Sequence, residues 1–207
     1  MIHVLIVEDQ RLMRETMQSY IQRAEDYVLS GALTCASQAK YFCMTNPVDL
    51  VLMDVCTEND ESGFAATKEI KSVRPDIKVI IVTSMIDVTY LKRARENGVE
   101  GFWYKDAPET ELMKVIADVI EGKTVYPGGP PRVMVGMVSN YDFSEAELRV
   151  LRLLVEGDSY KEIAKQLCLS PETVKTHVSH MLQKTGFRSK TQLVAQIIRK
   201  SIIVNGY

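Results

Sequence analysis

The chain has 207 residues, 46% of them hydrophobic and 25% charged, with a net charge of −2; these are proportions of a soluble globular protein, of a length for one large or two modest domains. The charge is uneven: residues 1–125 carry 20 acids against 14 bases (−6), and residues 126–207 carry 7 against 11 (+4). An acidic first part and a basic last part suggest two domains with different partners, the second one a nucleic acid. No apolar run is long enough to span a bilayer, and the opening MIHVLIVEDQ has no basic n-region and meets two acids by residue 9, so neither a membrane protein nor a secreted one is expected. The four cysteines, Cys35, Cys43, Cys56 and Cys168, form no CxxC pair and no zinc spacing with histidine; reduced thiols in a cytoplasmic protein follow.

Up to about residue 122, strand-like and helix-like segments alternate. Strands are predicted at 2–7 (IHVLIV), 27–33 (YVLSGAL), 49–53 (DLVLM), 78–83 (KVIIVT) and 101–104 (GFWY). Three of them are nearly continuous apolar runs, as expected of strands buried on both faces. Helical periods lie between them, at 10–24, 36–45, 62–73, 87–97 and 109–121; in the first, Leu12, Met13, Met17, Tyr20 and Ile21 make the apolar stripe. Strict alternation predicts an α/β doubly wound fold with a five-stranded parallel sheet covered on both sides. Gly128, Gly129, Pro130 and Pro131 then exclude a regular element, and 123–140 is read as a linker.

From residue 141 the pattern is all-α. Ser144 with Glu147 and Ser159 with Glu162 have the spacing of capping boxes, Ser170 precedes a proline at the first helical position, and Ser189 with Gln192 marks a fourth start. Four helices with short turns are expected over 141–207.

In a doubly wound sheet, ligands bind beyond the carboxyl ends of the strands. The residues falling there are Glu8 and Asp9, Asp54, Thr83 with Ser84, and Lys105. Crowded carboxylates repel unless a proton or a cation intervenes, and an all-oxygen donor set suits Mg²⁺. A carboxylate nucleophile, Asp54, beside Mg²⁺ and Lys105 is equipped to take a phosphoryl group onto itself, with Thr83 donating to the product. Acids and lysines also gather at strand ends because those ends are wet, but three carboxylates, a hydroxyl and an ammonium together on one edge are a poor fit to chance.

VLIVEDQ, DLVLMD, IIVTS and GFWYKDA resemble the signature stretches of the receiver domains of two-component response regulators, over residues 1–122. The resemblance implies that Glu8 and Asp9 are an acidic metal-binding pair, Asp54 the phospho-acceptor, Thr83 the switch hydroxyl, Lys105 the partner lysine and Phe102 the rotating aromatic. It also implies that the backbone carbonyl of Cys56 is a metal contact. The sequence departs from the family after Asp54: Glu58 stands where a proline is common, and Gly63 comes nine rather than eight residues on. The loop CTENDES is therefore longer and more acidic, and Glu58, Asp60 and Glu61 are placed to alter metal affinity or the lifetime of the phosphoryl group.

In PETVKTHVSHMLQK, 171–184, Val174, Val178, Met181 and Leu182 make a buried stripe, and the opposite face presents Lys175, Thr176 and Ser179. With the short helix and tight turn before it, this is helix-turn-helix spacing. Lys175, Thr176 and Ser179 have the chemistry to reach base edges; Lys161, Thr173, His180, Lys184, Arg188 and Lys190 suit phosphates. The whole stretch from FSEAELRV to SKTQL is similar to the four-helix DNA-binding domain of LuxR-type regulators. A receiver followed by such a domain is identified as a member of the NarL/FixJ class, in which the last helix, here 189–203, usually makes the dimer contact on DNA; Leu193, Val194, Ile197 and Ile198 fit that face or packing within the domain.

The expectation is a transcription factor, not an enzyme, controlled by phosphorylation from a sensor histidine kinase or a small phosphodonor. It would act as a homodimer on inverted-repeat double-stranded DNA, with RNA polymerase as a further partner. The alternatives are a phosphorylation-independent DNA-binding regulator with an atypical receiver, which the altered loop would suit, and a hydrolase passing through an aspartyl phosphate. Haloacid-dehalogenase-type hydrolases need an acid two residues past the nucleophile, where this chain has Cys56.

Overall fold

The computed structural model describes residues 1–87 and 89–203, with Asp60 described by its backbone alone. The chain divides into two units, Met1–Ser84 with Thr89–Gly129, and Met85–Val88 with Pro130–Tyr207.

The first unit is built on five parallel strands: β1 (Ile2–Val7), β2 (Tyr27–Leu33), β3 (Leu50–Asp54), β6 (Lys78–Thr83) and β7 (Gly101–Tyr104). Two short strands, β4 (Cys56–Thr57) and β5 (Glu61–Ser62), pair with each other in the loop after β3. The sheet order is β2-β1-β3-β6-β7, so the direction of winding reverses between β1 and β3, which opens a crevice at their carboxyl ends. Alternate residues of the strands face opposite layers. Val4, Ile6, Leu50, Leu52, Ile80, Val82 and Trp103 pack with Met17 and Ile21 of α1 (Arg11–Arg23) and with Leu112, Val115, Ile116 and Val119 of α5 (Glu109–Ile120). Leu5, Val7, Val51 and Met53, pointing the other way, are equally buried, so both faces are covered. The remaining helices of this unit are α2 (Ala39–Thr45), preceded by a single 3₁₀ turn at Ala36–Gln38, α3 (Gly63–Val73) and α4 (Tyr90–Glu96).

Leu12 does not join the α1 stripe; it is 79% exposed. At about 100° per residue it lies well over a quarter turn from the face centred on Met17, and α1 starts only one residue before it. The stretch read as a linker also carries structure. Val125 extends the β7 edge, accepting from Phe102 N–H at 2.9 Å and donating to Glu100 O at 2.8 Å. Residues 134–139 form a small antiparallel hairpin, β8 (Met134–Val135) and β9 (Val138–Ser139).

The second unit holds α6 (Glu145–Val155), α7 (Tyr160–Leu167), α8 (Pro171–Thr185) and α9 (Lys190–Arg199). Each N-terminus is capped by the serine the sequence marks: Ser144 accepts from Glu147 N–H, Ser159 from Glu162 N–H, Ser170 from Thr173 N–H and Ser189 from Gln192 N–H. Both reciprocal carboxylate bonds are made, so two orphan donors are satisfied at each box. Leu148, Leu151, Leu154, Ile163, Val174, Val178, Met181, Leu193 and Ile197 are buried. On α9, Leu193 and Ile197 face inward while Ile198 is exposed. Residues 204–207 of the expected helical domain lie outside the described residues.

Candidate functional site

Strand register assembles the acidic site. Val7 pairs with Met53, Asp54 with Val82, and Thr83 with Tyr104, so the residues ending or following these strands share one edge. Ligand atoms of Glu8, Asp9 and Asp54 lie within 4.8 Å of one another. Lys105 follows β7 and its N–H donates to Thr83 O at 3.0 Å, which aims its side chain back across the site. Its Nζ donates to Asp54 Oδ2 at 2.7 Å and stands 2.6 Å from Glu8 Oε2. Glu8 Oε2 is buried, and the cation facing it is that same Lys105 ammonium.

The electrostatics follow from this crowding. Burial, then repulsion from Asp54, pushes the Glu8 carboxyl up to about 7, against the pull of Lys105. Burial also raises Asp54, with Lys105 and the backbone N–H groups of Val55 and Cys56 opposing it. Burial by itself would lower the Lys105 ammonium, but Asp54 and Glu8 outweigh it and the net shift is upward. Three carboxylates thus cluster around one lysine that pairs with two of them, so the cluster is short of positive charge. A hard divalent cation with oxygen ligands fits that deficit, and Mg²⁺ is the ion whose preference for one or two carboxylates plus water matches the set.

The backbone beneath Asp54 is set by close approach. A Cβ on Gly63 would lie 1.8 Å from Asp54 O, so only glycine lets α3 start here, with its N–H donating to Val55 O at 2.8 Å. The longer loop is pinned to residues 34–37. Glu58 accepts from Thr34 Oγ1 at 2.8 Å and from Cys35 Sγ at 3.2 Å, Thr57 Oγ1 accepts from Ala36 N–H at 2.9 Å, and Glu61 accepts from Ser37 N–H at 2.7 Å. The Asp60 side chain, named with them from the sequence, lies outside the described residues. Cys56 is half-buried in the short pair with Ser62. Thr83 is fully buried at the end of β6, and Phe102 is buried on β7 beside Tyr104, with ring centroids 5.0 Å apart.

Sequence reading missed Arg14. Its Nη1 donates to the carbonyls of both Glu8 and Asp9, at 2.8 and 2.9 Å. The one available signal was its position five residues past Asp9 in the first turns of a helix, which any solvated arginine would share.

In the second unit, α7, a three-residue turn and α8 follow one another. Lys175, Thr176, Ser179 and His180 are exposed on α8, and Lys161, Arg188 and Lys190 are exposed nearby in sequence. Thr176 Oγ1 donates to Glu172 O at 2.9 Å, and Thr173 is half-buried with its hydroxyl 2.8 Å from that of Ser170. Lys190 Nζ sits over the Tyr160 ring at 5.4 Å. Lys184, also exposed, differs from the others: its ammonium donates to the buried Glu147 Oε2 at 2.8 Å and to Asp142 O at 3.2 Å, so it braces α8 against α6. Its distance along the helix from Lys175 hides this, because sequence cannot tell which charge a buried carboxylate captures.

Residues 4–117 match the response regulator receiver domain, and residues 142–197 match the bacterial regulatory proteins of the luxR family. The chain belongs to the two-component response regulators, in the NarL/FixJ class. Response regulator protein VraR of Staphylococcus epidermidis is 31% identical over 98% of this chain and 99% of its own length. Oxygen regulatory protein NreC of Staphylococcus carnosus is 27% identical over 97% and 98%. Among solved structures, RcsB from Salmonella enterica serovar Typhimurium, bound to promoter rprA with the phosphomimetic BeF₃⁻, superposes with a TM-score of 0.63 at 22% identity, over 95% of this chain and 98% of that one; the likeness is one of fold. This response regulator therefore carries a receiver and a LuxR-type DNA-binding domain. Among its described residues, no helix is long and apolar enough to cross a membrane.

Proposed function

We propose that Asp54 is the phospho-acceptor of a switch that governs sequence-specific DNA binding. The observation that carries the reading is the convergence of Glu8, Asp9, Asp54 and Lys105 on one buried edge. Asp54 Oδ attacks the phosphorus of a phosphohistidine on a sensor kinase, or of a small acyl phosphate; the P–N or P–O bond to the donor breaks and an acyl phosphate forms on Asp54. Glu8, Asp9, Asp54 and the Cys56 carbonyl would hold Mg²⁺, which supplies positive charge to the phosphoryl oxygens. Lys105, already 2.7 Å from Asp54, would add a second positive charge to them. Thr83 then donates to the phosphoryl group and Phe102 repacks behind it, biasing the surface around α4, β7 and α5 toward a second state.

That bias promotes a homodimer in which two copies of α8 read an inverted repeat in double-stranded DNA. Lys175, Thr176 and Ser179 reach base edges, while Lys161, Thr173, His180, Arg188 and Lys190 meet phosphates; Lys184 is kept for the internal pair with Glu147. RNA polymerase is a downstream partner, and the compartment is the cytoplasm. We place the receiver at 1–129 and the DNA-binding domain from 130, rather than a free linker over 123–140, because Val125 joins the sheet and the hairpin at 134–139 joins the helical unit. The phosphorylation-independent reading gains nothing from the altered loop, since Glu58 and Glu61 bond to residues 34–37 and leave the Asp54–Lys105 pair intact.

Asp54→Asn is expected to abolish labelling by radioactive acetyl phosphate in the presence of Mg²⁺. Label retained on the intact variant would reject the assignment.

A further inference from the structure

The hairpin of residues 133–139 lies outside the luxR-family match, which begins at residue 142, yet it seats the carboxyl end of α8. Val135 is fully buried. Asn140, 1% exposed, locks the hairpin's base: its N–H donates to Val133 O at 2.9 Å, its Oδ1 accepts from Val133 N–H at 3.0 Å, and its Nδ2 donates to Pro131 O at 3.2 Å. Tyr141 Oη adds a bond to Pro130 O at 2.6 Å. At the tip, Met137 N–H donates to Thr185 O at 3.1 Å. Thr185 is the last residue of α8, so this bond fills one of the carbonyls that a helix end leaves orphaned. Gly136 sits at φ +63°, and a Cβ there would lie 2.0 Å from Thr185 O and 3.1 Å from the Phe187 ring. The fit thus depends on glycine twice, for its backbone angle and for its lack of a side chain. Beside it, the Lys184 bonds to Glu147 and to the Asp142 carbonyl hold the same end of α8 from another direction.

We infer that residues 130–141 are a positioning element of the DNA reader, fixing the pose of α8 from its carboxyl end. This rests on the reading of α8 as the recognition helix. Base contacts demand side chains held to a fraction of an ångström, whereas phosphate contacts tolerate a small tilt. A loosened hairpin therefore lowers discrimination between sequences more than it lowers affinity for DNA in general.

The test uses full-length protein. Sites are first selected from random duplexes with the wild type, and affinity is then measured for a selected duplex and for a scrambled one of equal length. Gly136→Ala and Asn140→Ala are expected to lose roughly tenfold in the ratio of specific to scrambled affinity, with scrambled-duplex binding near the wild-type level. Met134→Ser, on the exposed side of the hairpin, is expected to keep the wild-type ratio. Thermal melting establishes that each variant is folded at the assay temperature; if Gly136→Ala does not fold, Asn140→Ala decides. A folded variant with the wild-type ratio would overturn the inference, as would equal losses on both duplexes. A loss in Met134→Ser as large as in the others would overturn it too, by making the hairpin a direct DNA contact. A wild type that selects no site would overturn the recognition-helix reading itself and this inference with it.

Discussion

Arg14 binds the acidic pair through its backbone, not its carboxylates: one guanidinium nitrogen bonds the carbonyls of Glu8 and Asp9. It thereby fixes the turn from which both side chains leave β1, and its charge also helps hold the Glu58 carboxyl below its usual range, after the Thr34 hydroxyl and the Cys35 thiol. Partners that orient metal ligands typically matter by one to two orders of magnitude in affinity. Arg14→Met is accordingly expected to weaken Mg²⁺ binding about tenfold, read by titrating the fluorescence of Trp103, the single tryptophan. An unchanged titration would reject the role. Glu147 offers a second residue-level test. Burial pushes its carboxyl up, but the Lys184 ammonium and the Ser144 N–H outweigh that, and the net shift is downward. A depressed carboxyl contributes stability above the unfolded value, and that contribution is lost as pH falls through the folded one. Glu147→Gln should therefore cost about 1 kcal/mol near neutral pH, and the gap in melting temperature from wild type should close as the pH falls below the ordinary glutamate range. A gap that persists in acid would mean that shape, not charge, makes the difference.

Among the elements, the helix starts of the second unit were legible because a cap is a local event: a serine and the N–H three residues on need nothing distant. The α1 stripe was less so. Sequence periodicity admits Leu12, and only the placement of Met17 and Ile21 against the sheet shows that it points to solvent. The turn between α7 and α8 shows a strain that composition does not reveal. Cys168, exposed, sits in the left-handed region at φ 54° and ψ 44°, with its N–H bonded to Ala164 O. A side chain there costs about 1–2 kcal/mol, part of which glycine's greater unfolded-state freedom takes back. Cys168→Gly should raise the stability of this unit by about 1 kcal/mol, measured by thermal unfolding with DNA binding unchanged. A lower melting temperature would show that the thiol packs more than its exposure suggests.

For the whole molecule, the proposed switch and the proposed reader meet in one measurement. Selection from random duplexes with beryllofluoride and Mg²⁺ present is expected to return an inverted repeat, and selection without them to return the same half-sites with weaker enrichment. Direct repeats, or sites indifferent to beryllofluoride, would break the link between Asp54 and DNA binding. The sequence alone determined the strand–helix alternation and the capped helices, and it marked Asp54, Lys105 and the face of α8 as candidates, because each depends on spacing of a few residues or on a strand's end. Only the tertiary structure decided that Lys105 pairs with both Glu8 and Asp54, that Arg14 grips the acidic turn, that Lys184 bonds Glu147, and that Met137, in the stretch read as a linker, bonds the last residue of α8. Those facts are contacts between residues separated by up to about a hundred positions, and no local pattern encodes which distant partner a side chain meets once the sheet register and helix packing are set.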